Sequence, residues 1–302
     1  MRLRGRFVLV FAALAPLLVA TGCSDADTAP AVAKVTVTPS RTRIGVGAPL
    51  EIAYRFEILL GAAITGDYRV FVHVLNEDRQ PIWNDDHEPS VPTSQWKPGQ
   101  TIEYTRFAFV PTNATPGEAT IEIGLYRDND RLSLQGPDPS SRESLAREYR
   151  VAALQLLPGT ANVFLIRRSG WHPEESLAVE PSLSWAWTRK TAVLLVRANP
   201  LANSLLYLQY DARPDLFPGK PQQVTVWVDG KPIETFAANS DKPAVRRIPI
   251  AAAQMGTAEM VELKIETDRT FIPASLPQGG KDSRELGIRV YHAFLESPIT
   301  QK

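Results

Sequence analysis

Few side chains in this sequence are equipped for chemistry. The 302 residues hold four histidines, at positions 73, 87, 172 and 292, and one cysteine, Cys23. His73 falls in an apolar run on the same face as Phe71 and Leu75, the setting of a packed, hydrogen-bonded histidine. His292 sits likewise between Tyr291 and Ala293. The densest set of metal-binding side chains is Asp85-Asp86-His87-Glu88. Calcium takes about six to eight oxygens from a wrapped loop, and zinc takes converging His or Cys side chains. Four successive residues cannot all turn to one ion, so a solvated loop is expected, with no metal and no cofactor. One cysteine allows no intrachain disulfide and no four-cysteine metal site. No G-x-S-x-G elbow, H-E-x-x-H or Walker loop occurs. A carboxylate pair could be assembled from the 33 acidic residues, but the sequence nominates none. No catalytic residue is assigned, and a non-catalytic protein is expected.

The aromatic residues carry the clearer binding signal. Sugars present apolar C–H faces that pack on indole rings, while their hydroxyls need polar partners at the ring edge. Trp171 follows Gly170 and precedes His172-Pro173, which reads as a loop. Trp185 and Trp187 are two apart in a strand and share a face. Turned outward, the two rings make a platform for a ligand; turned inward, they are core, which a sandwich of this size needs. Asp268 and Arg269 follow a strand end, where they either secure a corner as an ion pair or touch a ligand.

These residues must be placed by strands. Lys plus Arg is 33 and Asp plus Glu is 33, so the basic excess of a nucleic-acid binder is missing and so is the charge of a disordered acidic tail. Hydrophobic residues at 44% and charged residues at 22% fit an ordinary soluble protein. Proline, at 25, outnumbers glycine, at 18, which suits many short strands joined by turns. The length fits roughly two domains. In 50–57, apolar residues alternate with mostly polar ones, the mark of a half-buried strand. The run 69–75 is apolar at nearly every position and reads as a central strand. With 34–39, 81–83, 101–110, 119–126 and 148–156, about seven strands argue for an immunoglobulin- or fibronectin-like sandwich over 34–156. After a joint at 157–160, eight or nine short strands from 162 to 294 predict a jelly-roll-like sandwich over 160–298. Asp229-Gly230 is a two-residue hairpin signal, and only 250–255 hints at a helical turn.

The N-terminus reads as an address. Arg2, Arg4 and Arg6 precede an apolar run over 7–19 that is short for a spanning helix and fits a secretory signal over 1–22. Ala20-Thr21-Gly22 before Cys23 resembles the bacterial lipobox, with Ala20 in place of the usual Leu. The resemblance implies that Cys23 is lipidated and becomes the new N-terminus, held in a lipid bilayer. Each buried CH₂ of an acyl chain contributes about 0.8 kcal/mol, and two chains make attachment stable. Ser24, rather than Asp, implies sorting to the outer membrane, facing the periplasm. Cleavage removes three arginines and no acids, so the mature chain gains no attraction to anionic head groups. The small, polar stretch 24–33 reads as a flexible tether.

The runs VFVHVLNEDRQPIWNDDHEP, PTSQWKPGQTIEYTRFAF and PGEATIEIGLY resemble an accessory β-sandwich domain of bacterial envelope proteins, often found behind membrane-embedded glycosyltransferases. The second half resembles carbohydrate-binding-like modules found beside such enzymes, through Gly170-Trp171-His172-Pro173, Trp185, Trp187, the VWVDG run at 226–230 and Asp268-Arg269-Thr270-Phe271-Ile272-Pro273. These resemblances imply an all-β envelope lipoprotein that binds a glycan or serves as an accessory in envelope assembly. A scaffold that binds an envelope protein is the alternative, and a hydrolase of envelope polymers is a further one.

Overall fold

A computed structural model describes residues 29–136, 142–143, 147–177, 180–197, 202–277 and 280–297. The signal at 1–22 and Cys23 lie outside the described residues. The chain is all-β. Its first part runs β1 (Ala33–Pro39), β2 (Arg43–Gly45), β3 (Pro49–Ile58), β4 (Arg69–Asn76), β5 (Pro81–Asn84), β6 (Thr101–Phe109), β7 (Gly117–Arg127), β8 (Asp130–Leu132), β9 (Leu134–Gln135), β10 (Arg142–Glu143) and β11 (Glu148–Leu157). The second runs β12 (Leu165–Leu177), β13 (Glu180–Arg197), β14 (Ser204–Asp211), β15 (Gln222–Val228), β16 (Lys231–Ala238), β17 (Ala244–Ile250), β18 (Met260–Thr267) and β19 (Arg289–Glu296).

The first part is a sandwich. A four-stranded sheet, in the order β6-β3-β1-β9, faces a seven-stranded sheet, β10-β11-β7-β4-β5 with β2 on β11 and β8 on β7. Alternation sets the inner faces: Ile52, Tyr54 and Phe56 of β3 meet Val70, Val72 and Val74 of β4 and Ile121, Ile123 and Leu125 of β7 in one buried core. The alternate side chains of β4 and β7, among them Arg69, Phe71, His73 and Tyr126, are left on the outer face.

The second part keeps the expected all-β class and layering, but the two layers are one continuous antiparallel sheet of eight strands, β16-β15-β18-β13-β19-β14-β17 with β12 on β13. The reason is β13. It spans 18 residues where the sequence pattern separates two strands, and it pairs with β18 over Thr191–Arg197 and with β19 at Ala186 and Trp187. The sheet therefore rolls around a second core containing Leu194, Leu206, Val226, Ile248, Leu263 and Val290. Its two end strands are tied by side chains, Arg246 Nε donating to Glu234 Oε1 at 2.7 Å. The hairpin at Asp229-Gly230 forms as expected, with φ of 48° and 73°, and the turn hint at 250–255 becomes a single 3₁₀ turn, Ala252–Gln254.

The two parts meet along the outer face of β6. Phe107 stacks on Tyr207 with centroids 5.8 Å apart, and Phe109 packs 4.1 Å from His292. His292 Nε2 lies 2.8 Å from Gly47 O, and Asn162 Nδ2 donates to Val46 O at 2.7 Å. Arg247 pairs with Glu51, and Arg41 with Glu296. A bulge puts Tyr291 and His292 on the same side of β19, because the register slips between Gln209↔His292 and Tyr210↔Val290.

Candidate functional site

Trp185 and Trp187 share one face of β13, but that face is closed. Each is 8% exposed, packed with Phe271 and Leu286 and walled by Leu216, Phe217 and Tyr291. The Arg289 guanidinium lies 5.5 Å from the Trp185 centroid, 5.4 Å from Trp187 and 5.8 Å from Tyr291. Asp211, fully buried, holds that guanidinium through two contacts of 2.6 and 2.5 Å and accepts the Tyr291 phenol at 2.6 Å. Burial, and then the bond to Asp211, push the Tyr291 phenol upward. The two indoles form a secondary core, and the outward platform is not made.

The other expected positions make local contacts of their own. Trp171 lies inside β12 rather than in a loop, because the strand continues past Gly170, where the extra residues fall on β13 between Thr188 and Val193, and through a bulge of its own between Trp171 and Glu174. Its indole N–H donates to Val193 O at 2.8 Å, and Arg167 sits 5.2 Å from the ring centroid. Asp268 and Arg269 pair with each other at 3.1 Å, while Asp268 Oδ1 accepts the Gln223 amide at 2.8 Å.

Two of the histidines depart from expectation, in opposite directions. His73 is half-exposed on the outer face, 3.9 Å from both Asp86 and Glu148, not packed in the core. Asp85 to Glu88 is not simply solvated: His87 is 5% exposed and bonded to Tyr104 Oη at 2.8 Å, and Asp85 pairs with Arg106 at 2.6 Å. Burial holds the His87 imidazole below its usual range. His172 is buried, its Nε2 2.8 Å from Glu285 O. Among the described residues no three His, Cys, Asp or Glu side chains converge as a metal site.

The structure instead assembles a cleft at one end of the first sandwich. Asp67-Tyr68-Arg69 leads into β4, and Tyr126-Arg127-Asp128 ends β7. The antiparallel register sets Arg69 directly opposite Tyr126. These two tripeptides, with Glu88, Pro89 and Pro92, line a cavity of about 500 Å³, within the size range of small-ligand sites, about 300–1,000 Å³. Tyr126 is half-buried on the outer side of the sheet, its ring centroid 6.1 Å from that of Phe71. Arg69 lies 5.9 Å from its centroid, and Arg127 lies 4.7 Å from that of Tyr68. Gly66 makes room for Arg127, since a Cβ there would fall 1.8 Å from its Nη1.

The polar groups of the cleft are fixed yet under-used. Arg69 donates to Asp86 O at 3.3 Å and Arg127 to Thr65 O at 3.4 Å, both weak bonds to backbone. Asp67 accepts the Ser94 amide at 3.1 Å, and Ser94 holds its carboxyl below the usual range. Tyr68 is pinned by its bond to Asp130, which pushes its phenol upward. The result is one aromatic face flanked by two guanidinium donors and the carboxylate acceptors Asp67, Glu88 and Asp128. Such a set can stack on the C–H face of a sugar and bond its hydroxyls at the rim.

Sequence reasoning misses this cleft. The available signal is the pair of tripeptides of equal composition, Asp-Tyr-Arg and Tyr-Arg-Asp, at the start of one strand and the end of another. Two strands, β5 and β6, separate them in the chain, so only the β4–β7 pairing reveals them as neighbours.

No family model and no curated protein matches the sequence. Solved structures show distant likenesses. A family 35 carbohydrate binding module from an environmental isolate aligns with 44% of this chain and 92% of its own, at 11% identity and a TM-score of 0.28. A β-glucuronidase of Bacteroides uniformis aligns with 88% of this chain at 10% identity and a TM-score of 0.30. The chain spans only 30% of that enzyme's length. The CBM51-2 and INT domains of Clostridium perfringens ZmpB align over 60% of this chain and 38% of their own, at 9% identity and a TM-score of 0.21. Likenesses at this level carry no argument about what the chain does, and the all-β fold rests on its own sheets.

Proposed function

We propose that this chain is a lipid-anchored, non-catalytic protein of the bacterial envelope, on the outer membrane facing the periplasm, that binds a glycan in the Tyr126 cleft. The observation that carries glycan binding is the juxtaposition of Asp67-Tyr68-Arg69 with Tyr126-Arg127-Asp128 around a cavity of about 500 Å³. The anchor rests on the residues around Cys23 alone. The non-catalytic reading rests on the absence of a nucleophile elbow, an H-E-x-x-H or a Walker loop in the sequence. A hydrolase working between the two halves would need two carboxylates in one cleft. Two clefts at the seam have, among the described residues, one acid each, Glu296 and Glu174, and each is ion-paired with an arginine.

A glycan array bearing envelope polysaccharides tests the binding. Native protein is expected to retain a defined subset of saccharides and the Tyr126→Ala variant to retain that subset more weakly. Identical array profiles for the two proteins would remove the cleft from the account. The scaffold reading draws on Phe164 and Ile166, 47% and 42% exposed at the start of β12. Retention of an envelope protein that depends on those two residues, with a blank array, would favour it.

A further inference from the structure

A second cavity lies where the rolled sheet meets the first sandwich. It measures about 580 Å³, and Ile44, Leu157, Val163, Leu205 and Phe294 give it apolar walls drawn from both halves of the chain and the joint between them. Ser204 lines it and is 4% exposed, yet its hydroxyl has no hydrogen-bond partner. Ser204 opens β14 on the side that carries Leu206 and Leu208 into the core. Ser297 supplies a second occluded hydroxyl without a partner in the same cavity. Buried hydroxyls are normally paired, because leaving one unmade forfeits its solvation. Their accumulation on one apolar cavity marks a place where a partner atom is expected.

Charge at the cavity is uneven. Arg41 and Arg43 line it with a single acid, Glu296. Glu296 is already taken, pairing with Arg41 and accepting Tyr207 Oη–H at 2.9 Å. Arg43 is exposed and has no ion-pair partner among the described residues. The cavity thus combines hydrocarbon walls, an unbalanced cation and hydroxyl donors with no acceptor.

We propose that this cavity binds a medium-chain acyl carboxylate. The acyl chain packs on the apolar walls, Arg43 balances the carboxylate, and Ser204 Oγ–H donates to a ligand oxygen. Because walls from both halves enclose the chain, the ligand also fastens the rolled sheet to the sandwich. This site is separate from the Tyr126 cleft and stands or falls independently of it.

The test uses the full chain in its membrane and a photoactivatable dodecanoate. The label is expected on peptides containing Val163, Leu205 or Leu295, displaced by excess dodecanoate and about tenfold less well by dodecanol. Arg43→Gln and Ser204→Ala are each expected to lower labelling there about tenfold, the scale of a hydrogen bond to a charged group. Ser204→Ala should leave the unliganded melting midpoint unchanged or higher, since it deletes an unpaired hydroxyl. A hydroxyl that served only packing would not link those two results. Label spread over surface peptides, or labelling at the cavity that neither substitution reduces, would overturn the proposal.

Discussion

Replacing Asp211 by Asn leaves the shape of the second aromatic cluster but strips the charge that holds Arg289. Asp211 is fully buried, while Arg289 keeps 25% of its side chain in solvent. Removing one partner of a buried ion pair costs about 3–5 kcal/mol, and the partial exposure of Arg289 places this pair at the lower end, about 3 kcal/mol. At about 2–4 °C per kcal/mol for a chain of this size, the melting midpoint should fall by about 6–12 °C. Tryptophan fluorescence is the natural assay, because the freed guanidinium lies against Trp185 and Trp187. Their emission should shift to the red before global unfolding. Adding Arg289→Met to Asp211→Asn removes the stranded charge and should restore more than half of the lost stability. A fall under about 2 °C for the single variant, or a double variant worse than the two single losses together, would refute the view that this pair locks the cluster shut.

Three further outcomes are expected. Burial holds the His292 imidazole low, with Arg167 acting in the same direction, so the folded seam favours the neutral ring. That stability is complete above the unfolded value of about 6.5 and is lost as pH falls below it. His87 adds in the same sense. Melting midpoints should therefore drop between about pH 7 and pH 5, and His292→Phe should flatten the slope; an unchanged slope would exclude the seam as its source. Gly124→Ala places a Cβ 2.2 Å from the Phe71 ring and 2.7 Å from Arg147 O. Overpacking of that kind costs about 1–3 kcal/mol, read as a lower denaturation midpoint, and native stability would contradict the packing described. Cys23→Ser should abolish metabolic labelling with fatty acid and release the protein from membranes.

The strand pattern is legible wherever one face of a strand is wet. Alternation marks β3, β7 and β15, and the Asp229-Gly230 turn predicts its own hairpin. It fails where tertiary pairing overrides local signals. The stretch from Arg189 to Thr191 breaks the apolar pattern and separates two strands in the sequence, yet β13 continues through it, with a register slip against β12, because β18 and β19 pair with its two halves. Trp171 reads as a loop residue from Gly170 and Pro173, which in fact sit at register slips between β12 and β13. The shared face of Trp185 and Trp187 is readable, but its burial depends on Phe271 and Leu286, more than 80 positions further along. Strands shorter than four residues, β2, β8, β9 and β10, carry no periodicity to read. The cleft is hidden for a related reason: its two tripeptides are ordinary turn sequences until the β4–β7 register joins them.

Isothermal titration calorimetry of the native chain and the Tyr126→Ala variant, with the polysaccharide best retained on the array, tests glycan binding most directly. Loss of a stacking face worth about 0.5–1.5 kcal/mol beyond area burial predicts binding weakened by up to about tenfold while the melting midpoint stays within about 2 °C of native. Equal affinities for the two proteins, or no heat from the native chain at millimolar saccharide, would contradict it.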